Sequence, residues 1–123
     1  MKKAIDIQIG GNHYKKMPFQ PVELFAKTHC TAFQANIWKY ISRYKFKNGE
    51  EDIRKCMHYA KLAKEFECNG NLHYKKVFLA DRFCIVNGIK GLAESIIQNA
   101  ARDNYDDVIE DCELLLQKEY SVK

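Results

Sequence analysis

The stretch "NIWKYISRYKFKNGEED", residues 36–52, sets Lys39, Arg43, Lys45 and Lys47 ahead of an Asn-Gly break and Glu50, Glu51 and Asp52 directly after it. Ammonium and guanidinium groups at helical spacing can hold phosphate oxygens, and arginine can do so with two parallel N–H donors. Asn36 and Tyr40 add directional hydrogen bonds, and the Tyr40 ring offers a face for stacking. Asp52, Lys55 and Tyr59 follow at helical spacing on the next segment. Two chemistries are open. Asn36, Lys39, Tyr40, Arg43, Lys47 and Lys55 could line a polar cleft for a phosphorylated ligand. Alternatively, Asp52 pairs with Arg43 and simply holds two helices together. Lys45, Lys47, Glu50 and Glu51 need no ligand, because cations at a helix end and carboxylates at a helix start complement the macrodipole.

His13 lies in "GGNHYKK", where an imidazole on a glycine-rich loop can contact phosphate, move a proton or fix the loop. His29, His58 and His73 are scattered, so no metal site is expected. The five cysteines are odd in number and contain no CxxC pair, which reads as reduced thiols filling core positions. There is no GxxxxGK[ST] run, since Gly88 and Gly91 lead into "LAE". That excludes a Walker-type phosphate loop. No cofactor is implied, no residue presents itself as a catalytic base, and the catalytic residues, if any, stay unassigned.

The elements that must position these groups come from a chain of 123 residues, 46% apolar and 29% charged, the balance of a soluble globular protein. No apolar run approaches a membrane span, and Asp6 and Gln8 interrupt the start of the chain too early for a signal peptide. A cytoplasmic protein is expected. Residues 1–76 carry 15 Lys and Arg against 7 Asp and Glu, and residues 77–123 carry 5 against 9. The basic front suits an anionic partner. The acidic back, and the lack of any recognisable reading helix, make nucleic acid an unfavoured partner.

The patterning predicts an all-α fold, a helical bundle built on an antiparallel αα-hairpin, with one short N-terminal strand and a C-terminal helical lobe. "AIDIQI", residues 4–9, alternates apolar and polar as a half-buried strand does. A lone strand needs a partner, which points to a homo-oligomer, a dimer or higher. Helices are predicted from Pro21, from Thr31 to about Phe46 with core face Phe33, Ile37, Ile41 and Tyr44, and from Glu50 to Cys68. Trp38 and Phe46 fall off that face and are expected to meet the second lobe or a subunit. "ECNGN" divides residues 1–68 from an acidic lobe at 69–123. There, "VFLADRFCIVNGI" predicts a helix buried all round, and Asn104 with Asp107 predicts a capping box opening the last helix.

"GGNHYKKMPFQPVE" followed by "NIWKYISRYKFKNGEEDIRKCMHYAKLA" resembles the block shared by the SaV-like bacteriophage proteins, over residues 10–63. The resemblance implies residues His13, Tyr14, Gln20, Asn36, Lys39, Tyr40, Arg43, Lys47, Asp52 and Lys55 as the binding set, with Pro21, Asn48 and Gly49 shaping the backbone. Ala35 and Cys56 depart from the Gly and Ala common in the block. It further implies a small phage accessory protein in the cytoplasm of an infected bacterium. One member of the family binds a host abortive-infection factor, AbiV; another is a nucleoside monophosphate kinase without a P-loop. Two functions follow as expectations: a protein that acts by binding a host protein of the AbiV type, with a nucleotide cleft retained, or a nucleotide-binding protein or kinase.

Overall fold

The computed structural model describes residues 3–8, 14–70 and 73–121. Six α-helices follow a single 3-10 turn at Ala4–Asp6: α1 Pro21–Thr28, α2 Ala32–Arg43, α3 Glu50–Glu65, α4 Tyr74–Asn87, α5 Gly91–Ala101 and α6 Tyr105–Tyr120. Among the described residues there is no strand.

The alternation at 4–9 therefore does not become a strand. Asp6 and Ile7 N–H close instead on Lys3 and Ala4 carbonyls. The Gln20 side chain takes up the Ile5 carbonyl at 2.8 Å. With no strand among the described residues to pair with, local turns and a glutamine satisfy the backbone. Ile9, the last residue of the predicted strand, lies outside the described residues. The case for an oligomer paired through that strand loses its premise.

Pro21 at the first position and Glu23 in the first turn start α1, with the Glu23 carboxylate accepting from Gln20 N–H at 3.1 Å. Thr31 and Gln34 exchange reciprocal bonds of 3.0 and 3.1 Å at the start of α2, a capping box. Helix α2 stops at Arg43, earlier than predicted. The chain turns through 44–49, where Gly49 at φ 52° adopts the left-handed backbone that opens α3. Contacts then link α2 and α3 along their length. Arg43 meets Asp52, Tyr40 stacks on Tyr59, Cys56 Sγ–H reaches Ile37 O, and Phe33 stacks on Phe66. Residue 43 meets 52 at the loop end and residue 33 meets 66 at the far end, as in an antiparallel pair.

One continuous buried cluster draws side chains from both sides of the boundary expected at 67–71. Leu24, Ile37, Trp38, Ile41, Ile53 and Cys56 pack with Phe83, Ile96, Ile97, Val108 and Cys112. Trp38 is fully buried; its Nε1–H donates to Ile97 O of α5 at 3.0 Å, and its ring stacks on Phe25. Phe46, in contrast, is exposed. Gln34, also fully buried, ties three elements together: its Nε2 donates to Ala100 O at 3.0 Å and to Asp103 Oδ1 at 3.2 Å, and its Oε1 accepts from Lys76 Nζ at 3.1 Å.

Two more expectations are corrected. Helix α4 is not buried all round. It packs Ala80, Phe83 and Cys84 inward, against α1 and α5, and leaves Tyr74, Phe78 and Ile85 exposed along the opposite side. Asn104 precedes α6 without capping it through its side chain, because its Nδ2–H donates to the Asp107 carboxylate instead. Among the described residues, no helix is long and apolar enough to cross a membrane.

Candidate functional site

The antiparallel contact of α2 and α3 brings Lys39, Tyr40 and Arg43 of one helix against Asp52, Lys55 and Tyr59 of the other. Tyr40 is the hub. Lys39 Nζ lies 4.6 Å from its ring centroid, Arg43 Cζ 4.7 Å and Lys55 Nζ 5.0 Å. Tyr59 stacks on the same ring at 6.0 Å with 12° between planes. Cations are drawn to an aromatic face by its quadrupole, but that attraction is worth only about 0.5–1 kcal/mol at an exposed site. Like charges gathered around one ring also repel one another, and an anion among them would relieve that repulsion.

Part of that anion is already present. Arg43 closes on Asp52 with Nη2–Oδ1 at 3.1 Å and Nε 3.3 Å from both carboxylate oxygens. Asp52 is fully buried and also accepts from Asn48 N–H at 3.2 Å. The structural pairing that the spacing allowed is therefore formed. It neutralises Arg43 and leaves Lys39 and Lys55. Among the described residues, neither has a carboxylate within salt-bridge distance. Tyr14 joins from the loop before α1, its phenol set against Arg43; burial pushes its pKa up, and the Arg43 charge opposes that rise.

Lys39 also borders a hollow of about 280 Å³ between residues 7–8 and α1. Ile7, Pro21, Val22 and Phe25 give it apolar walls, and Gln8, Tyr14, Gln20 and Lys39 supply polar atoms. Gln8 is held in place, since its Oε1 accepts from Tyr14 N–H at 2.7 Å. A wider hollow of about 530 Å³ shares Ile7, Gln20 and Val22 but is lined otherwise by Ala4, Ile5, Glu23, Ala26 and Lys27, without Tyr14 or Lys39. The smaller one sits just under the usual range for small-ligand pockets, with the expected make-up of apolar walls and a few convergent polar groups.

The structure thus gathers Tyr14, Gln20, Lys39, Tyr40, Arg43, Asp52 and Lys55 around one region. Two of the predicted residues stand apart. Asn36 Nδ2–H turns back to Ala32 O at 2.8 Å, satisfied by its own helix. Lys47 is exposed on the 44–49 turn, because α2 has ended before it. His13 lies outside the described residues. Gln8 was not expected here; in sequence it reads only as the polar member of an alternating strand.

Residues 10–61 match the model of a family described as protein of unknown function, DUF3310. The matched segment contains the whole Tyr40 cluster and Tyr14, but neither Gln8 nor α4, α5 and α6. No curated protein and no solved structure matches the chain.

Proposed function

We propose that this protein binds a nucleoside phosphate, with the phosphoryl group between Lys39 and Lys55 and the base in the hollow beside Lys39 or against the Tyr40 ring. The observation that carries the reading is the convergence of three cations within about 5 Å of one tyrosine ring while a single carboxylate, Asp52, answers only Arg43. Lysine ammoniums of this kind bind a phosphate as point charges, leaving direction to the neighbouring amides and phenols. The SaV-like resemblance of residues 10–63 supports the same choice through its kinase member. Catalysis is not part of the proposal, because the cluster offers no base: Asp52 is committed to Arg43 and Asn48.

A thermal-shift panel of ribo- and deoxyribonucleoside mono-, di- and triphosphates, with inorganic phosphate as control, tests it. A ligand at 100 times its Kd adds about 2.7 kcal/mol to stability, which is several degrees in a chain of this size. A base-selective rise that disappears in Lys39→Gln/Lys55→Gln is the expected result. No rise with any member of the panel contradicts it.

A second reading is that the protein acts by binding a host protein, an abortive-infection factor of the AbiV type by the resemblance. The exposed Tyr74, Phe78 and Ile85 stripe on α4 supports it, because contiguous exposed apolar surface marks interaction sites. A homo-oligomer would bury the same kind of stripe. The two readings separate cleanly, since Phe78→Ser and Ile85→Ser remove partner binding in the second and leave nucleotide binding intact in the first.

A further inference from the structure

Lys76 is unusual among the lysines. It is 4% exposed, in the first turn of α4, and its ammonium donates to the neutral Gln34 Oε1 at 3.1 Å. Among the described residues no carboxylate lies within salt-bridge distance of it. The nearest acid in its network is Asp103, one step removed, where it accepts from Gln34 Nε2. Burying an ammonium is costly without a counter-charge or good solvation, and one amide oxygen supplies neither in full.

Lys76 is also among the residues that line a cavity of about 220 Å³ between the end of α1 and the start of α4. Its walls are Lys27, Thr28, His29, His73, Lys75 and Lys76, with no carboxylate among them. His73 Nδ1 accepts from Lys75 N–H at 3.1 Å, which leaves Nε2 as the ring's donor. The positive end of α4 adds its dipole. The negative end of α1 opposes it, and Lys27 in that last turn offsets the opposition.

We propose that this cavity is a second anion site, separate from the Tyr40 cluster, that takes one phosphoryl group with Lys76 as its buried anchor and Lys27, Lys75, His29 and His73 around it. The phosphoryl group can belong to inorganic phosphate or to a small phosphomonoester. The site lies about half outside the segment matched by the family, since His73, Lys75 and Lys76 fall beyond residue 61. It does not depend on the nucleotide reading.

The test is an NMR titration at fixed pH that follows the imidazole signals of His29 and His73, with exposed His58 on α3 as the internal control. Inorganic phosphate and phenyl phosphate are added in separate series, against chloride matched in ionic strength. Saturable shifts of His29 and His73, absent for His58 and absent with chloride, are expected. Saturation by inorganic phosphate assigns the free ion, and saturation by phenyl phosphate alone assigns an ester. Binding should weaken at least tenfold in Lys76→Met and in Lys27→Ala/Lys75→Ala, and should be unchanged in Lys39→Gln/Lys55→Gln. The absence of saturable shifts with either phosphate overturns the proposal. So does binding that survives unchanged in Lys27→Ala/Lys75→Ala, the variant that decides alone if Lys76→Met does not fold.

Discussion

Arg43 and Asp52 are nine residues apart in sequence and close the mouth of the α2–α3 pair, with the guanidinium 14% exposed and the carboxylate fully buried. The two ends of this ion pair are not equivalent. Removing Arg43 strands a buried carboxylate with one backbone N–H; removing the Asp52 charge leaves a guanidinium that can still reach water. Arg43→Met should therefore cost about 3–5 kcal/mol. Asp52→Asn, which keeps an acceptor for Asn48 N–H, should cost about 1–2 kcal/mol. Urea denaturation of the two variants checks this, and equal or reversed costs would contradict it. It also makes Arg43 a poor residue for testing ligand binding, because its loss weakens the scaffold.

Much of this was legible beforehand, for physical reasons. Pro21 marked the start of α1, and helical periodicity located α2, since an apolar stripe at a 3.6-residue period has one way to be buried; the Asn-Gly break then placed the start of α3. The same periodicity brought Lys39, Arg43 and Lys55 to the edges of facing helices. It failed at "AIDIQI", where two-residue alternation spans too few residues to find a partner and a turn wins. It failed again at α4, where a uniformly apolar segment carries no stripe, so sequence does not say that Phe83 goes in and Phe78 stays out. Lys76 and Gln34 were invisible for a different reason. A lysine buried against an amide 42 residues away leaves no local pattern.

Helix α4 gives the sharpest contrast in side-chain cost. Phe83 is fully buried and meets Phe19 edge-on at 5.3 Å, whereas Phe78 stands largely in solvent. Phe83→Ala should cost about 3–5 kcal/mol. Phe78→Ser should change stability by less than about 0.5 kcal/mol. Buried Trp38 provides the fluorescence signal for both unfolding curves. A large loss in Phe78→Ser would mean that its ring is packed in the native protein.

Gly70 covers the Lys76–Gln34 pair. A methyl group there would come 2.8 Å from Lys76 Nζ and 3.2 Å from Gln34 Oε1. Its φ is not in the left-handed region, so the cost of Gly70→Ala is one of space. Displacing the ammonium from its amide should cost about 1–2 kcal/mol. The loss should shrink when the same change is made in a Lys76→Ala background. A double-mutant cycle by chemical denaturation reads this, and additive costs would place the strain elsewhere.

Burial, assisted by nearby carboxylates, pushes the Cys84 and Cys112 thiols up to about 12, from an ordinary value of 9.0. Cys56 is raised well above its usual range by burial and then by Cys112. The folded protein keeps these thiols protonated where the unfolded chain ionises them. Their contribution is therefore complete below pH 9 and is lost as pH climbs from 9 towards 12. Denaturation midpoints should fall steeply over that window, and less so in Cys84→Ala/Cys112→Ala. Native protein should react quickly with a thiol reagent at Cys30 and Cys68 at most, as the other three are buried. Fast labelling of all five at pH 8 would contradict this.

The reading stands or falls on whether Lys39 and Lys55 hold the phosphoryl group of a nucleotide beside Tyr40. It is tested most directly by amide NMR titration of the intact protein with the four ribo- and four deoxyribonucleoside monophosphates. Saturable shifts concentrated at Lys39, Tyr40, Arg43 and Lys55 are expected for at least one of them, with their loss in a folded Lys39→Gln/Lys55→Gln variant. If no monophosphate moves those signals at millimolar concentration, or if the shifts persist in the variant, the Tyr40 cluster is architecture and not a binding site.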